Sequence, residues 1–130
     1  MMLIMKNILV VDDEEVMRDF LSDVLEDFEV EKASDGDEAI SRLKEKQYDL
    51  VITDMKMPRV SGEEVVKFAK LTYPNTKIIV ISGYTSLSSA GAAVGYGVSA
   101  FLAKPFTIKQ LRTEVDKSLG LNQGAGVNNG

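Results

Sequence analysis

Three short apolar runs, at residues 8–11, 50–53 and 78–81, constrain this chain more than any other feature. They are rich in Val and Ile and show no polar alternation, the pattern of strands covered on both faces. Such strands belong to a sheet sandwiched between helices. A weaker run at 100–103 supplies a fourth strand, and residues 29–33 a fifth. In the last of these, Val30 sits among Glu29, Glu31 and Lys32, which suits a sheet edge that meets water.

Helical patterns separate the runs. Val16, Met17, Phe20, Leu21, Val24 and Leu25 make one broad apolar stripe, and Ile108, Leu111, Val115 and Leu119 make another. Ala39, Ile40 and Leu43 mark a short helix, and Val65, Val66 and Ala69 the next. With a segment at 86–97 as the fourth helix, five strands alternate with five helices, which predicts a doubly wound α/β fold around a parallel sheet. Asp12-x-x-Glu15, Asp35-x-x-Glu38, Ser61-x-x-Glu64 and Thr107-x-x-Gln110 fit or approximate the capping-box pattern at helix starts. Segment 86–97 has no such box. It carries Gly91, Gly95 and Gly97, each costing up to about 1 kcal/mol relative to Ala inside a helix, so it is expected to be the least stable helix. A chain of 130 residues holds one compact unit, expected over 1–119, followed by a Gly- and Asn-rich tail at 120–130 that cannot pack.

Composition decides which chemistry is open to such a fold. With no His and no Cys, the chain cannot build a Ser-His-Asp or Cys-His machine, a His or Cys zinc site, or a disulfide. Fifteen Lys and Arg against 20 Asp and Glu give a net charge of −5, which argues against nucleic acid or an anionic membrane as the main partner. The apolar start is broken by Lys6 and Asn7 and runs into Asp12 and Asp13, unlike a signal peptide. No segment reaches the roughly 18 apolar residues of a membrane span. A soluble, cytoplasmic protein is the simplest expectation.

In an open parallel sheet, ligands sit beyond the carboxyl ends of the strands, where strand order reverses. Asp12 and Asp13, Asp54, Ser82 and Lys104 all fall at such ends, and they converge if the strand order is 2-1-3-4-5. Two carboxylates about 4 Å apart repel by about 4 kcal/mol at an effective dielectric near 20. A divalent cation relieves this, and Mg2+ (or Mn2+) prefers such hard oxygen ligands. The charges of three aspartates, Lys104 and the cation then cancel. Asp54 is left as a nucleophile able to take a phosphoryl group, with Lys104 and the hydroxyl of Ser82 facing the phosphoryl oxygens. Taken singly, each residue has a plainer reading. Asp12 and Asp13 suit helix capping, Asp54 a turn before Met57-Pro58, Ser82 a satisfied strand end, Lys104 a solvated loop and Phe101 the core. Those readings leave the shared placement at strand ends unexplained.

The set Asp12-Asp13, Asp54-Met55-Lys56-Met57-Pro58 with Gly62, Ser82-Gly83 and Lys104-Pro105-Phe106 resembles the receiver domain of two-component response regulators, over about residues 6–119. The resemblance implies a flavodoxin-like fold with strand order 2-1-3-4-5. It implies that Asp54 is the phosphoacceptor, that Asp13 binds Mg2+ directly and Asp12 largely through water, and that Lys56 offers its backbone carbonyl. Ser82 corresponds to the hydroxyl that moves toward the phosphoryl group, where Thr is commoner, and Phe101 to the aromatic that follows it, where Tyr is common. The Lys104–Pro105 bond is expected cis, while Lys56 and Tyr84 stand where the family tunes phosphorylation lifetime.

By the same resemblance, the chain is expected to be a signalling switch. It takes its phosphoryl group from a histidine kinase or a phosphotransfer protein and catalyses its own aspartyl phosphorylation and dephosphorylation without being a conventional enzyme. It then alters the surface of the fourth helix, fifth strand and fifth helix, to form a phosphorylation-dependent dimer or control a partner or output domain. A chain without His cannot supply the phosphohistidine itself, so a separate protein or a small phosphodonor must load it. Three rival functions fit less well. A haloacid-dehalogenase-type phosphatase needs Asp-x-Asp at the first strand, where this chain reads Asp12-Asp13-Glu14. A flavodoxin-like cofactor binder needs a phosphate loop where residues 12–15 are acidic. A receiver-like module that only binds proteins would not need the complete set.

Overall fold

A computed structural model of the chain describes residues 5–83 and 97–121. The sheet is formed by β1 (Asn7–Val11), β2 (Glu29–Ala33), β3 (Leu50–Asp54), β4 (Lys77–Gly83) and β5 (Ala100–Lys104). All neighbours pair in parallel, in the order β2-β1-β3-β4-β5. This is the doubly wound five-stranded sheet expected of the sequence. The three strongest apolar runs occupy β1, β3 and β4, at the centre, where both faces are covered; β2, with its charges, lies at an edge.

Four helices lie among the described residues: α1 (Glu15–Val24), α2 (Gly36–Glu45), α3 (Gly62–Thr72) and α4 (Ile108–Ser118). The expected fourth helix at 86–97 lies outside the described residues except for Gly97, as do Tyr84 and most of the expected tail, so the C-terminal helix is α4 here. Alternation along the strands divides the core in two. Leu9, Val11, Val51, Ile78 and Val80 face Ala39 and Leu43 of α2 and Val65, Val66 and Ala69 of α3. Ile8, Val10, Ile52, Ile79 and Ile81 face Leu21 of α1 and Leu111 and Val115 of α4. Each face is therefore closed by two of these helices. None of them is long and apolar enough to cross a membrane.

Two expected core positions are not in the core. Val16 is 82% exposed and Ile108 54% exposed, because each sits in the first turn of its helix, before the helix axis reaches the sheet. The capping boxes also divide. Thr107 and Gln110 form both bonds of the box at α4, while Asp35 and Ser61 each make one of the two, accepting the backbone N–H of Glu38 and Glu64. At α1 the box is absent. The helix begins later, with Glu14 as an N-cap whose side chain makes no capping bond, and the Asp12 carboxylate accepts the Glu14 amide instead of that of Glu15.

Candidate functional site

β1 and β3 are neighbours at the point where strand order reverses, so their last residues open into one crevice. Asp54 ends β3, and Asp12 and Asp13 directly follow β1. One carboxylate oxygen from each of the three lies within 4.8 Å of the others. Asp12 is 1% and Asp54 8% exposed, whereas Asp13 is exposed to solvent. The sequence placed these groups at strand ends, and the strand order brings them together.

Hydrogen bonds orient the two buried carboxylates. Asp12 Oδ1 accepts the Glu14 amide at 2.8 Å, and Asp54 Oδ1 accepts the Lys56 amide at 3.2 Å. Lys104, at the end of β5, reaches across β4 with Nζ 3.2 Å from Asp54 Oδ2 and 3.7 Å from Asp12 Oδ2. The Lys104–Pro105 bond is cis. Burial pushes the Asp12 carboxyl above its usual range, and the charges of Asp54 and Asp13 add to this against the opposing Glu14 amide and Lys104. Burial works to lower the Lys104 ammonium, but Asp54 and Asp12 outweigh it and hold the pKa above its usual value. The pocket thus carries three carboxylates and one ammonium, with a surplus of negative charge focused on a few oxygens.

The remaining expected residues stand around this pocket in different ways. Ser82 lies near the end of β4, 7% exposed, and its hydroxyl donates to the Gly83 carbonyl at 3.1 Å rather than to Asp54. Phe101 on β5 is half-buried against the α2–α3 side of the core. Lys56 lines an open cavity beside Asp54 with Met55, Met57, Pro58, Ser61 and Glu63. Gly62 has a backbone reason to be glycine: a Cβ there would lie 1.9 Å from the Asp54 carbonyl oxygen.

Sequence reasoning missed Arg18. Its Nη1 donates to the Asp12 carbonyl at 2.8 Å, tying α1 to the turn that carries the acidic pair. No local motif signals this contact, since it depends on how α1 leans back over the end of β1.

A doubly wound α/β domain with an oxygen-only acidic pocket and a lysine at its switch point defines the class of this protein. Residues 8–116 match the response regulator receiver domain family, and the chain belongs to it. It is 34% identical over 119 residues to the uncharacterized transcriptional regulatory protein YesN of Bacillus subtilis (strain 168), covering 87% of this chain but 32% of YesN. It is 32% identical over 118 residues to sporulation initiation phosphotransferase F of the same organism, covering 89% of this chain and 95% of that protein. Among solved structures, the Vibrio cholerae chemotaxis protein CheY4 superposes with a TM-score of 0.83 at 32% identity, over 89% of this chain and 100% of that one. The chain therefore spans about a third of one relative and nearly the whole of others. Membership makes it a receiver module of two-component, phosphorylation-dependent signalling.

Proposed function

We propose that residues 1–119 form a cytoplasmic receiver that accepts a phosphoryl group on Asp54, from the phosphohistidine of a sensor histidine kinase or phosphotransfer protein. The observation that carries this reading is the approach of Asp12, Asp13 and Asp54 oxygens within 4.8 Å, with Lys104 Nζ 3.2 Å from Asp54. Nothing in the fold requires a nucleophilic carboxylate to be gathered with two others and a lysine.

The donor set fits Mg2+ (or Mn2+). It consists of oxygens alone, and Asp12 is buried beside two further carboxylates, so its charged form favours a cation. Asp13 and Asp54 would hold the ion directly, Asp12 largely through water, and Lys56 by its carbonyl. When bound, the ion neutralises charge on the transferring group.

The chain's own residues perform the rest. An Asp54 carboxylate oxygen bonds to phosphorus as the donor's N–P bond breaks, and the electron pair returns to the imidazole. Lys104 turns from Asp54 to a phosphoryl oxygen, keeping its charge paired. Ser82 exchanges the Gly83 carbonyl for a phosphoryl oxygen, and Phe101 repacks as that hydroxyl moves. Water hydrolyses the acyl phosphate and restores Asp54, at a rate tuned at Lys56 and Tyr84. The signal leaves through the β5–α4 surface, to a partner, an output domain or a second copy. The self-catalysed steps set it apart from a conventional enzyme.

Labelling with a small acyl phosphate or a phosphorylated kinase tests this. Wild type is expected to gain one alkali-labile phosphoryl group in the presence of Mg2+, and Asp54→Asn none. Equal labelling of the two proteins removes Asp54 as acceptor; no labelling of wild type leaves a protein-binding module.

A further inference from the structure

Arg59 lies in the loop that joins β3 to α3, and its backbone adopts a φ of 65°. That left-handed conformation costs any residue with a Cβ free energy, and such outliers cluster where a site must be held in one shape. The side chain runs to the start of α2. Its Nη2 is 3.1 Å from Asp35 Oδ2, and its Nε is 3.4 Å from Asp37 Oδ2. The next residue, Val60, packs on Gly36, where a Cβ would lie 2.4 Å from the Val60 carbonyl oxygen. At the far end of the loop, the Gly62 amide donates to the Met55 carbonyl at 3.0 Å. The loop is thus tied at Gly62 to the strand end that bears Asp54, and at Arg59 and Val60 to α2. Lys56 lies between these ties, with its amide on Asp54 Oδ1.

We infer that Arg59 is a positioning residue for the acidic pocket: its bridge to Asp35 and Asp37 fixes the loop that presents the Lys56 main chain beside Asp54, and so strengthens cation binding there. The inference rests on the divalent-cation reading of Asp12, Asp13 and Asp54. It makes a prediction opposite in sign to simple electrostatics. Arg59 is a cation, so deleting its charge would, by Coulomb's law alone, tighten Mg2+ binding. Loss of a positioning strap weakens it instead. Exposed bridges of this kind shift equilibria about two- to fivefold, and their effect fades with salt.

The test is calorimetric titration of the full chain with Mg2+ alone. Arg59→Ala is expected to raise the Mg2+ dissociation constant about threefold at low ionic strength. Arg59→Lys, which keeps one charge but not the fork, should fall between the two, and the difference from wild type should shrink at high salt. Arg59→Gly relieves the backbone while removing the bridge, so it folds readily and should show the same weakening. Unchanged or tighter binding in Arg59→Ala and Arg59→Gly overturns the inference, while loss of binding in Asp13→Ala shows that the cation site itself stands. A wild type that binds no Mg2+ overturns both.

Discussion

Asp12 is nearly out of water, and burial, reinforced by Asp54 and Asp13, raises its pKa despite the Glu14 amide and Lys104. A carboxyl raised in the folded state opposes folding once it ionises. Its cost appears as pH rises from the usual value of 3.8 through the folded one, and persists at neutral pH when no cation is present. Asp12→Asn keeps an acceptor for the Glu14 amide and removes the charge. Urea unfolding at neutral pH without Mg2+ should find this variant more stable than wild type by about 1 kcal/mol, and adding Mg2+ should narrow or reverse the gap. Taken singly, Asp12 suits a helix cap as well as a site residue in the sequence. In the structure α1 starts at Glu15, and the Asp12 carboxylate, bonded to the Glu14 amide, lies with those of Asp13 and Asp54. Arg18 and Arg59 were not legible in the same way, since their partners lie on other segments.

The edge strand β2 shows how an element poor in apolar residues stays attached. Glu31 accepts from Lys46 at 2.6 Å, from the Tyr48 hydroxyl at 2.5 Å and from Arg42 at 3.2 Å. Lys46 first and Tyr48 next hold the Glu31 carboxyl below its usual value, while burial and Glu31 push the Tyr48 hydroxyl up, so it stays a donor. A lowered carboxyl contributes stability above its unfolded pKa and loses it as pH falls through the folded one. Glu31→Gln is therefore expected to cost under about 1 kcal/mol at neutral pH, discounted for partial exposure, with the deficit vanishing as pH drops below 4.5. Denaturant melts across that range check it. At this scale the sequence served unevenly. The mixed pattern at 29–33 announced an edge, and Thr107 and Gln110 announced a full capping box, because both signals are local. Val16 and Ile108 misled, since periodicity alone cannot say where along its length a helix meets the sheet.

At the scale of the whole molecule, the site exists only in the folded chain, so a cation bound there stabilises the fold. At about a hundredfold excess over its dissociation constant, Mg2+ should contribute about 2.7 kcal/mol and raise the melting temperature of wild type. Asp13→Ala should show a much smaller rise, measured by calorimetric scanning with and without the ion. Equal rises would place the ion elsewhere. Hydrophobic pattern in the chain was enough to read the five strands and the four described helices, the buried centre of the sheet at β1, β3 and β4, and the strand-end placement of Asp12, Asp13, Asp54, Ser82 and Lys104. These follow from hydrophobic period and local capping, which act between residues close in the chain. The adjacency of β1 and β3 was expected from the family resemblance and from no local pattern, and folding decided that Lys104 sits between Asp54 and Asp12, that Ser82 rests on Gly83, and that Arg59 straps its loop to α2. Those contacts depend on strand order and on distances between remote segments, and no local pattern carries either.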